Sequence, residues 1–178
     1  MSGTLVTRSK LSRRALLGGS AAIGFSAVLI GNAQPAAATE YQSGWRWCRR
    51  CQGLFYGGGI NDSRCPTGGR HTAVDSWNYI VPFVDVPGLQ RNWRWCRKCQ
   101  GMFFSGNANT GVCPAGGGHD DYQSFDYRIG RSPVGQPNWR WCQNCQGLFY
   151  GDVAASRCPV GGRHSTAGSG NYVLASIS

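Results

Sequence analysis

Every cysteine and every histidine in this chain belongs to one spacing that occurs three times. Each copy reads Cys-x2-Cys, then 12 or 13 residues, then Cys-Pro-x4-His. The first set is Cys48, Cys51, Cys65 and His71, the second Cys96, Cys99, Cys113 and His119, and the third Cys142, Cys145, Cys158 and His164. A Cys-x2-Cys pair on a tight turn directs two thiolates at one point, and a later Cys and His complete a tetrahedron around a metal ion. Soft thiolates with one imidazole suit zinc or iron better than calcium or magnesium. The spacing therefore predicts three structural zinc sites, one per repeat, with these twelve residues as ligands. Disulfides are the competing use of cysteine. Three per repeat is an odd number, nine cannot all pair within one chain, and disulfides give no reason for a histidine at a fixed offset. A thioredoxin-type redox motif would need one Cys-x2-Cys in a β/α setting, which is absent.

The repeats share more than their ligands. All three contain W-R-W-C-x2-C-Q-G-x-F, then C-P-x-G-G-x-H, then x4-Ser-x2-Tyr, with a period of 46 to 48 residues. W-R-W alternates as a strand does, which puts both Trp on one face. Leu54-Phe55-Tyr56 and its counterparts read as the return strand after the Cys knuckle, and the segment around Tyr79, Tyr127 or Tyr172 reads as a third short strand. Gly53, Gly101 and Gly147 fit a turn that wants positive φ, and the Gly-Gly before each His allows a second tight turn. Outside the N-terminal leader no stretch has helical periodicity. The expected fold is all-β: three tandem Cys3His zinc-clipped β-hairpin repeats, spanning 39–92, 93–138 and 139–178. The Pro- and Gly-rich segments 80–92 and 128–138 allow two arrangements, separate beads or closure into one pseudo-threefold, β-trefoil-like domain. Equal repeat lengths and abundant aromatics favour closure.

Residues 1–38 are expected to be a removable export signal. Ser12-Arg13-Arg14-Ala15-Leu16-Leu17 resembles the twin-arginine pattern S-R-R-x-F-L-K, an uncharged stretch follows over 15–30, and Ala36-Ala37-Ala38 forms a small-residue cleavage pattern. The resemblance implies export of a protein that folds and takes up its metal first, with no membrane attachment after cleavage. That order suits zinc–thiolate sites, because the cytoplasm keeps thiols reduced. Losing Arg8, Lys10, Arg13 and Arg14 leaves 14 basic residues against 8 acidic ones, a net charge of +6. Each zinc with three thiolates adds a further −1. The Arg49-Arg50 and Arg97-Lys98 pairs become Gln143-Asn144 in the third repeat, so no basic stripe is repeated and nucleic acid is disfavoured as a partner.

From residue 39 onward the chain has 18 Val, Ile, Leu or Met against 20 Trp, Tyr or Phe. Modules this small rarely bury enough apolar area to fold unaided, and metal commonly makes up the deficit. A four-ligand Cys3His site has no open coordination position, so it reads as structural, and it occupies every potential Cys nucleophile and His base. The carboxylates recur at no common position, although Asp120, Asp121 and Asp126 cluster in the second repeat. A zinc-dependent or carboxylate hydrolase is therefore the weakest reading, and no catalytic residue is assigned.

Function is better sought in what repeats without binding metal. The candidate ligand-binding residues are Arg46, Trp47 and Tyr56, then Arg94, Trp95 and Phe104, then Arg140, Trp141 and Tyr150, with the Gln after each second Cys as a polar neighbour. One Trp of each pair is expected in the core; an exposed second aromatic flanked by polar groups suits sugar rings. The leading expectation is a secreted, zinc-stabilised, multivalent binding module for an extracellular glycan or cell-wall polymer. The alternative is a secreted protein–protein interaction or inhibitor-like protein. The pattern resembles the tandem W-x-W-C-x2-C-x-G-L-F/Y repeats of uncharacterised secreted bacterial proteins, and its metal spacing is similar to zinc ribbons and knuckles. The resemblance implies no activity.

Overall fold

The structure, a computed structural model, describes residues 40–131 and 134–177; the expected export signal over 1–38 lies outside them. Among the described residues there are nine strands: β1 (Tyr41–Trp47), β2 (Leu54–Tyr56), β3 (Asn78–Pro82), β4 (Leu89–Trp95), β5 (Met102–Phe104), β6 (Tyr127–Gly130), β7 (Gln136–Trp141), β8 (Leu148–Tyr150) and β9 (Tyr172–Ile177). A single 3-10 helix over Gly57–Asp62 fills the loop of the first repeat. The chain is all-β, as the alternation predicts.

Each repeat contributes three strands in the same way. W-R-W pairs with the return strand in one register, Trp45 opposite Tyr56, Trp93 opposite Phe104 and Trp139 opposite Tyr150. The other edge of the same strand pairs with the third strand, with a bulge across the two residues before the first Trp. At that bulge Gly44, Asn92 and Asn138 adopt positive φ. Their backbone N–H groups donate to the side chains of Asn78, Asp126 and Asn171 at 2.7–2.8 Å. Gly and Asn tolerate that left-handed backbone, so the bulge is written into the sequence. Ser76, Ser124 and Ser169 then accept the N–H of the second Trp at 2.7–2.8 Å. This is why the Ser recurs.

The repeats close on one another. β9 pairs antiparallel with β3 and with β6, and β4, β6, β9, β3 and β1 run side by side in a nearly closed, barrel-like sheet. At the hairpin tips the closure is cyclic: Phe55 bridges Gly101, Phe103 bridges Gly147 and Phe149 bridges Gly53. Tyr56 N–H donates to the Gln100 carbonyl, Phe104 to Gln146 and Tyr150 to Gln52, at 2.8–2.9 Å. Of the two arrangements the linkers allow, the closed pseudo-threefold body is the one formed.

The core sits on that pseudo-threefold axis. Trp45, Trp93 and Trp139 are all 0 % exposed. Each meets a Tyr of another repeat edge-on, Trp45 with Tyr127, Trp139 with Tyr79 and Trp93 with Tyr172, every pair at 5.2 Å. Each of these Tyr hydroxyls also donates to a Gln in the same strand as that Trp: Tyr79 to Gln136 at 2.5 Å, Tyr172 to Gln90 at 2.7 Å, and Tyr127 to Gln42. Aromatic edge-to-face pairs thus stand where a larger protein would place aliphatic residues. Gln42, Gln90 and Gln136 each precede the first Trp by three residues, a recurrence that the shared motif should have included.

Candidate metal centres and the grooves between repeats

The hairpin geometry places the first two ligands of each centre. The N–H of Cys48, Cys96 and Cys142 donates to the carbonyl of Gly53, Gly101 and Gly147 at 2.9–3.0 Å, and the N–H of Gln52, Gln100 and Gln146 returns to the Cys carbonyl at 2.7–2.8 Å. The turn so formed needs a left-handed residue. That residue is the Gln, with φ of 70°, 66° and 63°, and not the following Gly as the sequence suggested. The Gln side chain explains the exception. Its amide donates to the carbonyl of Arg49, Arg97 or Gln143 at 2.7–2.9 Å, and its oxygen accepts the indole N–H of Trp47, Trp95 or Trp141 at 2.9–3.2 Å. Buried to 1–4 % exposure, these Gln residues brace the knuckle and are not available to a ligand. The Gly lies against the second Cys, where a Cβ would come within 3.3–3.4 Å of its Sγ.

The third Cys and the His arrive from a second turn. Gly68-Gly69, Gly116-Gly117 and Gly161-Gly162 all have positive φ, and the N–H of Cys65, Cys113 and Cys158 closes the loop on the second Gly at 2.8–3.1 Å. Arg50 donates to the carbonyls of Thr67, Gly68 and Arg70, and Lys98 to those of Gly116 and Gly118. Arg50 and Lys98 therefore cap this turn, while their neighbours Arg49 and Arg97 pair with Asp75 and Asp120. Ser63 and Ser156, buried two residues before the third Cys, accept the N–H of His71 and His164 at 3.0 and 3.2 Å.

Each repeat brings its four predicted ligands together, with all ligand atoms within 4.8 Å of one another. The first and third Cys Sγ atoms are 4.0, 3.9 and 4.0 Å apart, and the second Cys Sγ lies 3.5, 3.6 and 3.4 Å from the His Nδ1. A tetrahedron with metal–sulfur bonds of about 2.3 Å has edges of about 3.8 Å, so the set fits a tetrahedral ion. None of the nine Cys is in a disulfide. Hydrogen bonds, chiefly with Cys51, Cys113 and Cys145, hold the Cys48, Cys96 and Cys142 thiols far below the ordinary thiol range. Hydrogen bonds, chiefly with Cys48, Cys113 and Cys142, push Cys51, Cys99 and Cys145 well above it. Thiolates this close repel, and a bound cation would let all three ionise together.

Around each centre the shell is supportive. Amide N–H groups of Gly53, Gly101, Ala115, Asp120 and Ser165 point at ligand sulfurs from 3.4 Å. Phe55, Phe103 and Phe149 stack on His71, His119 and His164 at 4.5–4.7 Å. With Nδ1 aimed at the metal position, His119 Nε2–H donates to the Cys145 carbonyl at 3.2 Å and fixes its tautomer. All three centres border one small apolar hollow of about 40 Å³ on the axis, floored by Leu54, Met102 and Leu148.

The remaining candidate residues divide. Trp47, Trp95, Trp141, Tyr56, Phe104 and Tyr150 are partly buried, packed on the outside of the core. Two of the Trp come together with an aromatic of another repeat. Trp47 faces Tyr150 at 6.5 Å, and the two line a groove with Asp75, Trp77, Tyr79 and Gln136. At the next junction Trp95 and Tyr56 line the equivalent groove with Gln123, Phe125, Tyr127 and Gln42. The Arg residues stand apart: Arg46 lines a separate hollow beside Trp77, Arg94 pairs with Asp121 and Asp126, and Arg140 donates to the Gly170 carbonyl. Sequence reasoning missed Trp77, although it is the one Trp outside the W-R-W pairs. No family model, no curated protein and no solved structure matches the chain.

Proposed function

We propose that this chain is a secreted, zinc-stabilised module that binds carbohydrate or a cell-wall polymer. One observation carries the reading. The half-buried aromatics of different repeats line grooves that also contain carboxylate, amide and phenol groups, Asp75 and Gln136 in one and Gln123 and Gln42 in another. Sugar rings pair an apolar C–H face with hydroxyl edges, and such a mixed lining matches both. Zinc supplies a closed, redox-inert structural clamp at each Cys3His set, and export through the twin-arginine route would deliver the loaded protein intact. The reading assigns no catalysis. Metal ligation would occupy every Cys and His, and the acidic cluster of the second repeat is neutralised by Arg91, Arg94, Arg97 and Arg128. The Asp120 carboxyl in particular is held below its usual range by the Tyr122 N–H and by Arg97.

The test is retention of metal-loaded protein on chitin, peptidoglycan or a glycan array. Retention supports the reading, and failure to bind any polymer sinks it. A second reading, docking of another secreted protein, is favoured by the apolar mouth between β3, β6 and β9, with exposed Tyr41 and Val86 at its rim. A stoichiometric protein captured from culture supernatant would select it. Native mass spectrometry showing three zinc ions per chain checks the metal assignment independently.

A further inference from the structure

We infer that the grooves between repeats are unequal, and that binding is concentrated in the one between the first and third repeats, which takes a single neutral pyranose unit of a glycan. This rests on the carbohydrate reading above and narrows it from a multivalent surface to one dominant site.

The floor of every groove is the same. A Tyr from one repeat donates its hydroxyl to a Gln from another, Tyr79 to Gln136, Tyr127 to Gln42 and Tyr172 to Gln90. The wall is not. At the position two residues before each of these Tyr stand Trp77, Phe125 and Gly170. Gly170 gives the third groove no aromatic wall. Phe125 is 50 % exposed, but Phe83 from the segment after β3 stacks on it at 4.5 Å and 16°, so one ring face is already covered. Trp77 is 55 % exposed, and its one ring neighbour among the described residues is Tyr79, tilted and 6.3 Å away. Only there does a large apolar face remain open. The groove beneath it holds about 200 Å³, against about 110 Å³ for the groove beside Phe125.

The polar partners follow the same order. Beside Trp77, Asp75 accepts a hydrogen bond from Arg49 at 3.2 Å, with both side chains more than half exposed. The counterpart of Asp75 is Gln123 in the second groove and Gly168 in the third. The counterpart of Arg49 in the second repeat, Arg97, is committed to Asp120 at 2.7 Å and lies over Tyr122 at 4.8 Å. In the third repeat it is Gln143, which donates to Ser165. A vicinal pair of sugar hydroxyls can donate to Asp75 and accept from Arg49 while the C–H face of the ring lies on the indole. The Asp–Arg pair has no net charge, so it selects neutral sugars over uronates or phosphate polymers.

The experiment is calorimetric titration of zinc-loaded protein with soluble chitohexaose and cellohexaose, on the wild type and on Trp77→Ala, Asp75→Asn and Phe125→Ala. All three side chains are exposed, and near-ultraviolet circular dichroism verifies that each variant keeps its fold. The expected result is one site per chain for at least one of the sugars, weakened roughly tenfold or more by Trp77→Ala and by Asp75→Asn and unchanged by Phe125→Ala. Two or three equal sites, or equal losses from Trp77→Ala and Phe125→Ala, would overturn the single groove and leave the carbohydrate reading standing. Preference for polygalacturonate over both neutral sugars would overturn the neutral ligand. Binding of neither sugar and of no insoluble polymer, with a polyproline peptide bound in a Trp77-dependent way, would overturn both this inference and the reading beneath it.

Discussion

The two ends of this barrel are built from the same three repeats and follow the repeat to different degrees. At the hairpin tips the three copies are nearly superposable in chemistry: the same Cys knuckle, the same braced Gln, the same cyclic bridges from Phe55 to Gly101, Phe103 to Gly147 and Phe149 to Gly53. At the other end the third strands diverge. β3 meets β9 over three residue pairs, whereas β6 meets β9 at one, Gly130 opposite Val173. Where β3 has Ile80 and β9 has Val173, β6 has Arg128, 5 % exposed and paired with Asp85 and Asp126 at 2.7–2.8 Å. The difference teaches what fixes geometry. A tetrahedral ion with four protein ligands tolerates little positional error, so the Cys, Gln and Gly that set the knuckle recur, although Asn144 replaces the capping Arg50 and Lys98 and Gly111 replaces the bracing Ser63 and Ser156. Strand edges and aromatic contacts accept several side chains of similar volume, and there the repeats drift.

The sharpest way to break the comparison is to remove one metal centre. Cys99→Ser is expected to unfold the whole body and not one third of it, because the tips are linked in a cycle and, on the proposed zinc reading, each ion would contribute on the order of 10 kcal/mol to folding. Native mass spectrometry and near-ultraviolet circular dichroism distinguish the outcomes. Loss of all three ions and of aromatic order supports the cycle, while retention of two ions in a folded remainder would show independent beads.

Next in size is the axis. Trp93→Ala, which empties a fully buried site, is expected to lower stability by about 3–5 kcal/mol in urea titrations. Trp93→Phe should cost far less. The Trp93 indole N–H has no hydrogen-bond acceptor among the described residues, so only volume and the edge-on contacts with Phe104 and Tyr172 change.

At the divergent end, Arg128→Val makes the second repeat resemble the third. It is expected to change stability by no more than about 1–2 kcal/mol in either direction, since exchanging a buried ion pair for apolar packing is often neutral or stabilising. A large loss would show that the ion pairs are as necessary as the metal.

Alkaline pH gives a smaller, graded effect. Burial is the main reason the Tyr79 hydroxyl is pushed up to about 12, with the nearby Tyr150 adding to it. An unfolded Tyr ionises near about 10, so the unfolded state loses its proton first. Stability is therefore complete below about pH 10 and declines as pH rises towards the folded value. Tyr79→Phe should flatten that decline in pH-dependent melting, and an unchanged profile would show that another group governs it. The smallest effect is expected from Arg97→Ala, which removes a solvent-screened pair with Asp120 and should leave the melting temperature nearly unchanged.

Much of this molecule was legible in its residues, and the failures have identifiable causes. The twelve ligands were readable because tetrahedral coordination demands fixed residue types at fixed offsets. The positive φ was assigned to Gly53 when it belongs to Gln52, because glycine is the default left-handed residue and the compensating bonds from Gln52 to Trp47 and Arg49 are visible only in space. That one Trp of each pair lies in the core was legible, though not which one; the second stands half-buried outside it. The partner of that second Trp was not legible, since Trp47 meets Tyr150 across a hundred residues of chain and no local pattern encodes that contact.

By itself, then, the sequence determined the all-β hairpin unit and the three Cys3His sets, because both depend on contacts within a repeat, where spacing is geometry. Tertiary structure alone decided that the repeats close in a cycle, that Tyr–Gln and Trp–Tyr pairs seal the axis, and that three similar grooves end with different walls. Those outcomes depend on contacts between repeats, and there the side chain that completes a site belongs to a strand the local pattern never mentions.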